Sequence, residues 1–477
     1  MLDGCERNNV SVRLSCALGV AALVAALGIA VAAPAAEPAR RGAGKVELGA
    51  CPKEVRPQKL RCARLWVPLE RTAPSRGRIP IRFAVRERSE AGRPSLGTIF
   101  AVEGGPGYGS IASTVYYVHM LGPLLERRDL VTVDMRGTGH SRAIDCPDLQ
   151  DLRGSTAAGV AQCANILGRD FVSYRTSAAA DDLDAVREAL GLDSIELYGD
   201  SYGTYLAQSY AYRHGENLDA LVLDGAYPVR GESGWFPSLT RTGIRSLAIV
   251  CRRSNRCSGR PRARLARAVE LLRETRRGAG PLLIAIGSSG YEPPRRYYTN
   301  VNEAVSEYLR GNRRPMRRLT DFGSGGYGSP RAYSAGDELA VSCNDYPVLW
   351  DKAADERTRR AQREAAIRVY PRDRFRPFTP REVALQSFST YPYCLQWPRP
   401  TKLYEPPAPP GAPAPDAPTL VIAGELDDVT SATEAAAVAA AFPRAQLRVV
   451  RNAGHIPSLY GGRYPARDWV REFLLRH

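Results

Sequence analysis

The chain has 477 residues, 44% of them hydrophobic and 24% charged, with a formal net charge of +16 at pH 7. These proportions exclude an intrinsically disordered chain and allow a sizeable apolar core. The length allows two or three average domains, or one large α/β enzyme carrying an insertion.

In chain order, Arg7 and Arg13 precede an apolar run at 14–33 that ends in the small residues VAAPAAEPA. This pattern predicts a signal peptide over 1–36, cut between Ala33 and Glu37. A retained anchor is the alternative, because about 20 apolar residues span a bilayer. Cys16 is not expected to carry lipid, since Arg13 stands three positions earlier where an apolar residue is needed. The exported chain then keeps Cys51, Cys62, Cys146, Cys163, Cys251, Cys257, Cys343 and Cys394. An even count in an oxidising compartment predicts disulfides, and pairing neighbours in chain order is the simplest of about 105 frameworks.

From residue 98 onward, β-rich runs alternate with helical ones: TIFAV (98–102), LVTVD (130–134), a helix over 177–192, SIELYG (194–199) and LDALVLDG (218–225). Strands alternating with helices predict a mostly parallel sheet covered on both faces. The alternation stops over 230–403, an Arg-, Tyr- and Pro-rich stretch, which divides the α/β core into a first part (37–229) and a second (404–477). Basic residues concentrate at 251–277, CRRSNRCSGRPRARLARAVELLRETRR. Leu265, Val269 and Leu272 fall there at helical spacing, so the arginines are expected on a solvated helix face. Attraction to an anionic cell envelope is expected and nucleic-acid binding is not. After the proline-rich connector YEPPAPPGAPAPDAP the pattern resumes with TLVIAG (419–424), a helix over 434–441 and QLRVV (446–450).

The densest chemical signal is GDSYG at 199–203. Ser201 follows a predicted strand and opens a predicted helix, the setting of a nucleophile elbow, where glycines two positions either side avoid collision with the neighbouring strand and helix. A helix N-terminus there offers free N–H groups and a positive dipole end. A serine needs a base, and in the order Ser, acid, His the base follows it in the chain. Of the five histidines, His455 in RNAGHIPS directly follows a strand; His214 is too local and His477 is terminal. The acid is expected at Asp427, after TLVIAG, with Asp428 beside it and Asp224 at the end of LVLD as the runner-up. The oxyanion donors are expected to be the N–H groups of Tyr202 and of Gly105 in AVEGGPGYGS, since Pro106 has none. No HExxH and no paired Cys/His spacing occurs, so neither metal nor organic cofactor is expected.

The motifs GGPGYGS, DMRGTGHS (134–141), GDSYGTY, CNDYP (343–347), GELDDVT and AGH make the chain similar to the α/β-hydrolase fold family. Within that family it resembles the prolyl iminopeptidase and tripeptidyl aminopeptidase group of exported actinobacterial enzymes. The resemblance implies Ser201, Asp427 and His455 as the triad, Gly105 and Tyr202 as oxyanion donors, and 230–403 as a lid. Glu103 stands where prolyl iminopeptidases tend to have the histidine of HGGPG, and GDSYGTY is closer to tripeptidyl aminopeptidases and related exported esterases. An aminopeptidase must neutralise a free α-ammonium, for which Glu103, Asp200 and Asp345 are the candidates, with Trp397 as an apolar wall. For Asp345 a buried turn carboxylate is the alternative. The expected activity is acyl transfer to water from a peptide, with a carboxylesterase acting on small esters as the rival. A catalytically silent envelope protein that keeps the fold for binding is the reading from another class.

Overall fold

Runs of consecutive apolar residues build the centre of a nine-stranded sheet in the computed structural model. The described residues are 46–53, 55, 59–231, 237–257, 259–290, 292–321, 326–386, 391–460 and 464–477; the expected signal peptide lies outside them. The strands are β1 (Val46–Gly49), β2 (Arg61–Pro68), β3 (Arg78–Arg86), β4 (Thr98–Val102), β5 (Asp129–Val133), β6 (Ile195–Asp200), β7 (Leu218–Asp224), β8 (Thr419–Gly424) and β9 (Ala445–Val450). Their order is β1-β2-β3-β5-β4-β6-β7-β8-β9. From β5 to β9 all pairs are parallel, whereas β1, β2 and β3 pair antiparallel, as does β3 with β5. Strands β4, β6 and β8 are buried along their whole length, as expected of strands covered on both faces. The antiparallel flank was not among the expected elements; it reads differently because β2 and β3 mix buried apolar with exposed basic residues.

One apolar cluster packs on one face of the sheet, with Phe83, Val102, Leu197 and Leu223. The opposite face holds Ile99, Tyr198, Val222 and Ile422. Between β7 and β8 the chain leaves the sheet for an inserted helical region that runs from Pro237–Ser254 through Pro294–Leu309 and Ala335–Asp345 to Pro380–Gln386. Much of it has its own apolar cluster, including Leu247, Val269, Val301 and Phe375. Four disulfides join Cys51 to Cys62, Cys146 to Cys163, Cys251 to Cys257 and Cys343 to Cys394, the neighbour pairing expected. Among the described residues no helix is long and apolar enough to cross a membrane.

The sheet order also locates a site. After β4 the chain adds β5 on one side and then β6 on the other, so the strand order reverses between β4 and β6. In open α/β sheets a crevice opens at the carboxyl ends of strands at such a reversal. The segments leaving those two ends are Glu103–Gly107 and Ser201–Tyr202.

Candidate active site

Ser201 has φ 51° and ψ −122°, a left-handed backbone that side-chain-bearing residues rarely adopt. Steric contacts explain the two flanking glycines. A Cβ on Gly199 would lie 2.3 Å from the Gly203 carbonyl oxygen, and one on Gly203 would lie 2.3 Å from the Val102 carbonyl oxygen. The elbow is thus wedged between its own helix and the end of β4. Its position is held by the Ser201 amide, which donates to the Asp224 carbonyl at 2.9 Å. Tyr202 is the first residue of the helix Tyr202–His214, so its N–H has no intrahelical acceptor and stands beside Ser201. On the other side runs the β4 loop: a Cβ on Gly104 would sit 2.7 Å from Ser201 Cβ and 3.2 Å from its Oγ. Gly105, the expected second donor, is the next residue.

His455 is almost wholly buried, with Nδ1 3.0 Å from Asp427 Oδ2 and 3.1 Å from Thr430 Oγ1. Asp427 is held in turn. Its Oδ1 accepts the amides of Val429 and Thr430, each at 2.9 Å, and its Oδ2 accepts the Thr430 hydroxyl at 2.9 Å. With the Nδ1 proton directed to this carboxylate, Nε2 is left as the acceptor. Burial opposes a charged imidazole, but the carboxylates of Asp427, Asp224 and Asp428 outweigh it and raise the pKa of His455. His455 and Ser201 each lie against the same short segment. Gly225 follows the carbonyl that Ser201 bonds, and a Cβ on it would lie 3.2 Å from His455 Cε1.

The two other acid candidates point elsewhere. Asp428 accepts Ser289 Oγ at 2.5 Å, the Ser289 amide at 3.0 Å and the Tyr298 hydroxyl at 2.6 Å, tying the inserted helices to the Asp427 loop. Asp224 accepts the amide and hydroxyl of Ser458 at 3.0 and 2.5 Å, fastening the segment that follows His455. Burial pushes both carboxyls up to about 6.

Of the expected substrate-binding residues, Asp200 belongs to the elbow itself and Glu103 lies beside it, its carbonyl oxygen 3.1 Å from where a Cβ on Gly203 would stand. Glu103 Oε2 accepts the Tyr117 hydroxyl at 3.1 Å, and the same hydroxyl lies 2.9 Å from Asp200 Oδ1. Burial and the neighbouring Glu103 charge push Asp200 far above the usual carboxylate range, so the two acids and the phenol act as one buried hydrogen-bonded group. Asp345 accepts the Thr176 amide at 2.7 Å at the start of the helix Thr176–Ala189, and Thr176 Oγ1 is 3.0 Å from the Tyr202 hydroxyl. Trp397 is buried against Phe171, its indole donating to Asn344 Oδ1 at 2.9 Å.

Two side chains at the site were absent from the sequence reading. Thr430 stands inside the GELDDVT motif that supplied Asp427. Asp337 lies in the first turn of Ala335–Asp345, with its amide bonded to the Ser334 hydroxyl, so in sequence it passes for an ordinary helix start. Asp337 is 3% exposed and borders a cavity of about 10 Å³, room for about one water-sized group, together with Glu103, Gly107, Tyr108 and Tyr202.

The segment 97–248 matches a family model described as alpha/beta hydrolase fold, and 382–476 matches one described as TAP-like protein. Serine protease Hip1 of Mycobacterium tuberculosis is 30% identical over 187 residues, 35% of each chain. The tripeptidyl aminopeptidase of Streptomyces lividans is 28% identical over 204 residues, 38% of each chain. The chain thus spans little more than a third of the length of these curated relatives. A thermophilic esterase from Thermogutta terrifontis superposes over 87% of this chain and 98% of its own, with 18% identity and a TM-score of 0.40. One matched segment carries β4 to β7 and runs into the first inserted helix, and the other starts within Pro380–Gln386 and carries β8 and β9. The chain therefore belongs to the α/β-hydrolase fold family, with a TAP-like carboxyl-terminal part and tripeptidyl aminopeptidases, Hip1 and proline iminopeptidases among its distant homologues.

Proposed function

We propose that this serine hydrolase is an exported aminopeptidase that releases short N-terminal peptides or residues, with 230–403 as a lid over the site. Ser201 Oγ attacks the scissile carbonyl carbon while His455 Nε2 takes its proton. The carbonyl oxygen becomes an oxyanion that accepts from the N–H groups of Gly105 and Tyr202. Collapse of this intermediate breaks the C–N bond, His455 returns the proton to the leaving amine, and water hydrolyses the acyl-enzyme by the same steps. Asp427 stays ionised and holds the imidazolium, which agrees with the raised pKa of His455. Four disulfides fit an oxidising compartment.

One observation supports a peptide amine as the recognised group: the carboxylates of Asp337 and Glu103 border one small cavity against Tyr202. Arg136 and Arg175 also border it, but each is already engaged by a buried acid, Asp182 at 2.7 Å and Glu70 at 2.8 Å. The cavity therefore offers carboxyl groups not committed to an arginine and has the size of an ammonium group; burial, and then the Glu338 charge, raise the pKa of Asp337 well above the usual carboxylate range, so an incoming ammonium is the partner that would ionise it. The test compares Asp337→Asn with the unaltered enzyme on tripeptide anilides with free and blocked amino ends and on short nitrophenyl esters. Loss of a charge-assisted contact of about 1.5 to 3 kcal/mol predicts that kcat/KM for free-amine substrates falls by about 10- to 150-fold. Blocked substrates and esters should be unaffected. Should the unaltered enzyme be indifferent to blocking, the aminopeptidase fails and the carboxylesterase takes its place. A chain that a fluorophosphonate does not label at Ser201 would be the silent envelope protein.

A further inference from the structure

The inserted region carries a second concave feature that the hydrolytic reaction does not use. A groove of about 600 Å³ lies between the end of the helix Pro237–Ser254, the start of Pro294–Leu309, and the loops after β8 and β9. Among the described residues four arginines line it, Arg253, Arg256, Arg295 and Arg296, and no carboxylate does. Among the described residues only Arg253 of these four has an acidic partner, Glu425 at 2.7 Å. Arg295 and Arg296 occupy the first turn of their helix, where cations are disfavoured by the dipole; that turn has no acidic residue and no side-chain cap. Like charges lining one groove beside the positive end of a helix repel in the absence of an anion. An anion reverses the sign of every one of these interactions, and planar guanidinium forks suit phosphate oxygens.

A second basic groove, of about 390 Å³, borders the other end of the same helix, lined among the described residues by Arg241, Arg245, Arg262, Arg374 and Arg376 against one carboxylate, Asp373. The helix between them has 18 residues, about 27 Å of rise. We propose that the groove at Arg253, Arg256, Arg295 and Arg296 binds an extended phosphate-bearing polyanion, which continues along the helix Pro237–Ser254 to the second groove. Concavity favours a polymer strand over a flat lipid surface. Among the described residues the lining supplies one aromatic ring, Tyr464, so these residues give successive bases no stacking platform and a nucleic acid no advantage over any other polyphosphate.

The test measures binding of inorganic polyphosphate to the full chain by titration at several salt concentrations, beside the triple variant Arg256→Gln, Arg295→Gln, Arg296→Gln. Duplex DNA and phosphatidylglycerol vesicles serve as the other arms. Polyphosphate should bind with an affinity that falls as salt rises. The triple variant should lower the slope of log affinity against log salt by about two, at about 0.7 per lost contact on a flexible strand. Unchanged ester hydrolysis by the variant shows that it is folded. Equal binding by variant and parent, or no binding by the parent, overturns the site. Vesicle binding without polymer binding, or DNA preferred over polyphosphate at equal charge, overturns the choice of partner.

Discussion

The glycine at 203 is the sharpest place to test the relation between backbone packing and chemistry. Replacing it by alanine puts a methyl carbon 2.3 Å from the Val102 carbonyl oxygen, 3.0 Å from its carbon and 3.1 Å from the Glu103 carbonyl oxygen. All three are backbone atoms of the strand end and loop that lead to Gly105, and they cannot swing aside as a side chain can. The clash must be relieved by moving the helix start away from β4 by about 1 Å, the deficit from an ordinary contact distance. Such overpacking costs about 1 to 3 kcal/mol of stability. The same displacement widens the gap between the N–H groups of Tyr202 and Gly105, the two proposed oxyanion donors. Loss of one donor costs about 2.7 to 4 kcal/mol in the transition state, or about 10²- to 10³-fold in kcat. Urea unfolding gives the stability change, and nitrophenyl ester turnover with fluorophosphonate titration of active serine gives kcat per competent site. Gly203→Ala with parental midpoint and kcat would refute the proposed wedging of the elbow, and loss of stability with unchanged kcat would refute its link to the oxyanion donors.

Other outcomes follow from the same geometry. Because the charged form of His455 is favoured, its pKa lies above the ordinary 6.5, and kcat/KM should rise with pH through a value above that figure as the imidazole becomes the neutral base. In Asp427→Asn the main source of that upward shift is gone while burial remains, so the acid limb should move to lower pH and kcat should drop by about 10⁴-fold; a limb that stays in place would argue against the pairing. Thr430→Val removes the hydroxyl between Asp427 and His455, leaving the carboxylate less neutralised, and the acid limb should move to higher pH. For the disulfides, loop closure predicts about 4 kcal/mol lost on replacing Cys343 and Cys394 by alanine, across a separation of 51 residues, and about 2 kcal/mol for Cys251 and Cys257, across 6. Chemical denaturation of the two double variants checks the ranking.

Much of the centre of the molecule was legible from local pattern. TIFAV and TLVIAG coincide with β4 and β8, and the other core strands begin and end within a residue of their expected bounds, because strands buried on both faces must be nearly all apolar. The elbow was equally readable: a steric requirement acting within five residues leaves its mark as glycine at both ends of GDSYG. Order along the chain then pointed to His455 and Asp427, and both stand in the loops that follow β9 and β8. The neighbour pairing of cysteines belongs to the same class of local information.

What tertiary structure alone decided is which polar groups face one another. Asp427, Asp428 and Asp224 are equivalent as side chains at or just beyond strand ends, and only the fold turns the first toward an imidazole and commits the others to Ser289 and Ser458. Glu103, Tyr117 and Asp200 become one hydrogen-bonded group although nearly a hundred positions separate the first from the last. Asp337 reaches the cavity because a helix more than a hundred residues beyond the elbow folds back over it. The physical reason is range: sterics and hydrophobic periodicity act between chain neighbours and are written in local composition, whereas the charge, burial and hydrogen bonding of a carboxylate depend on whatever distant segments the packed core brings beside it.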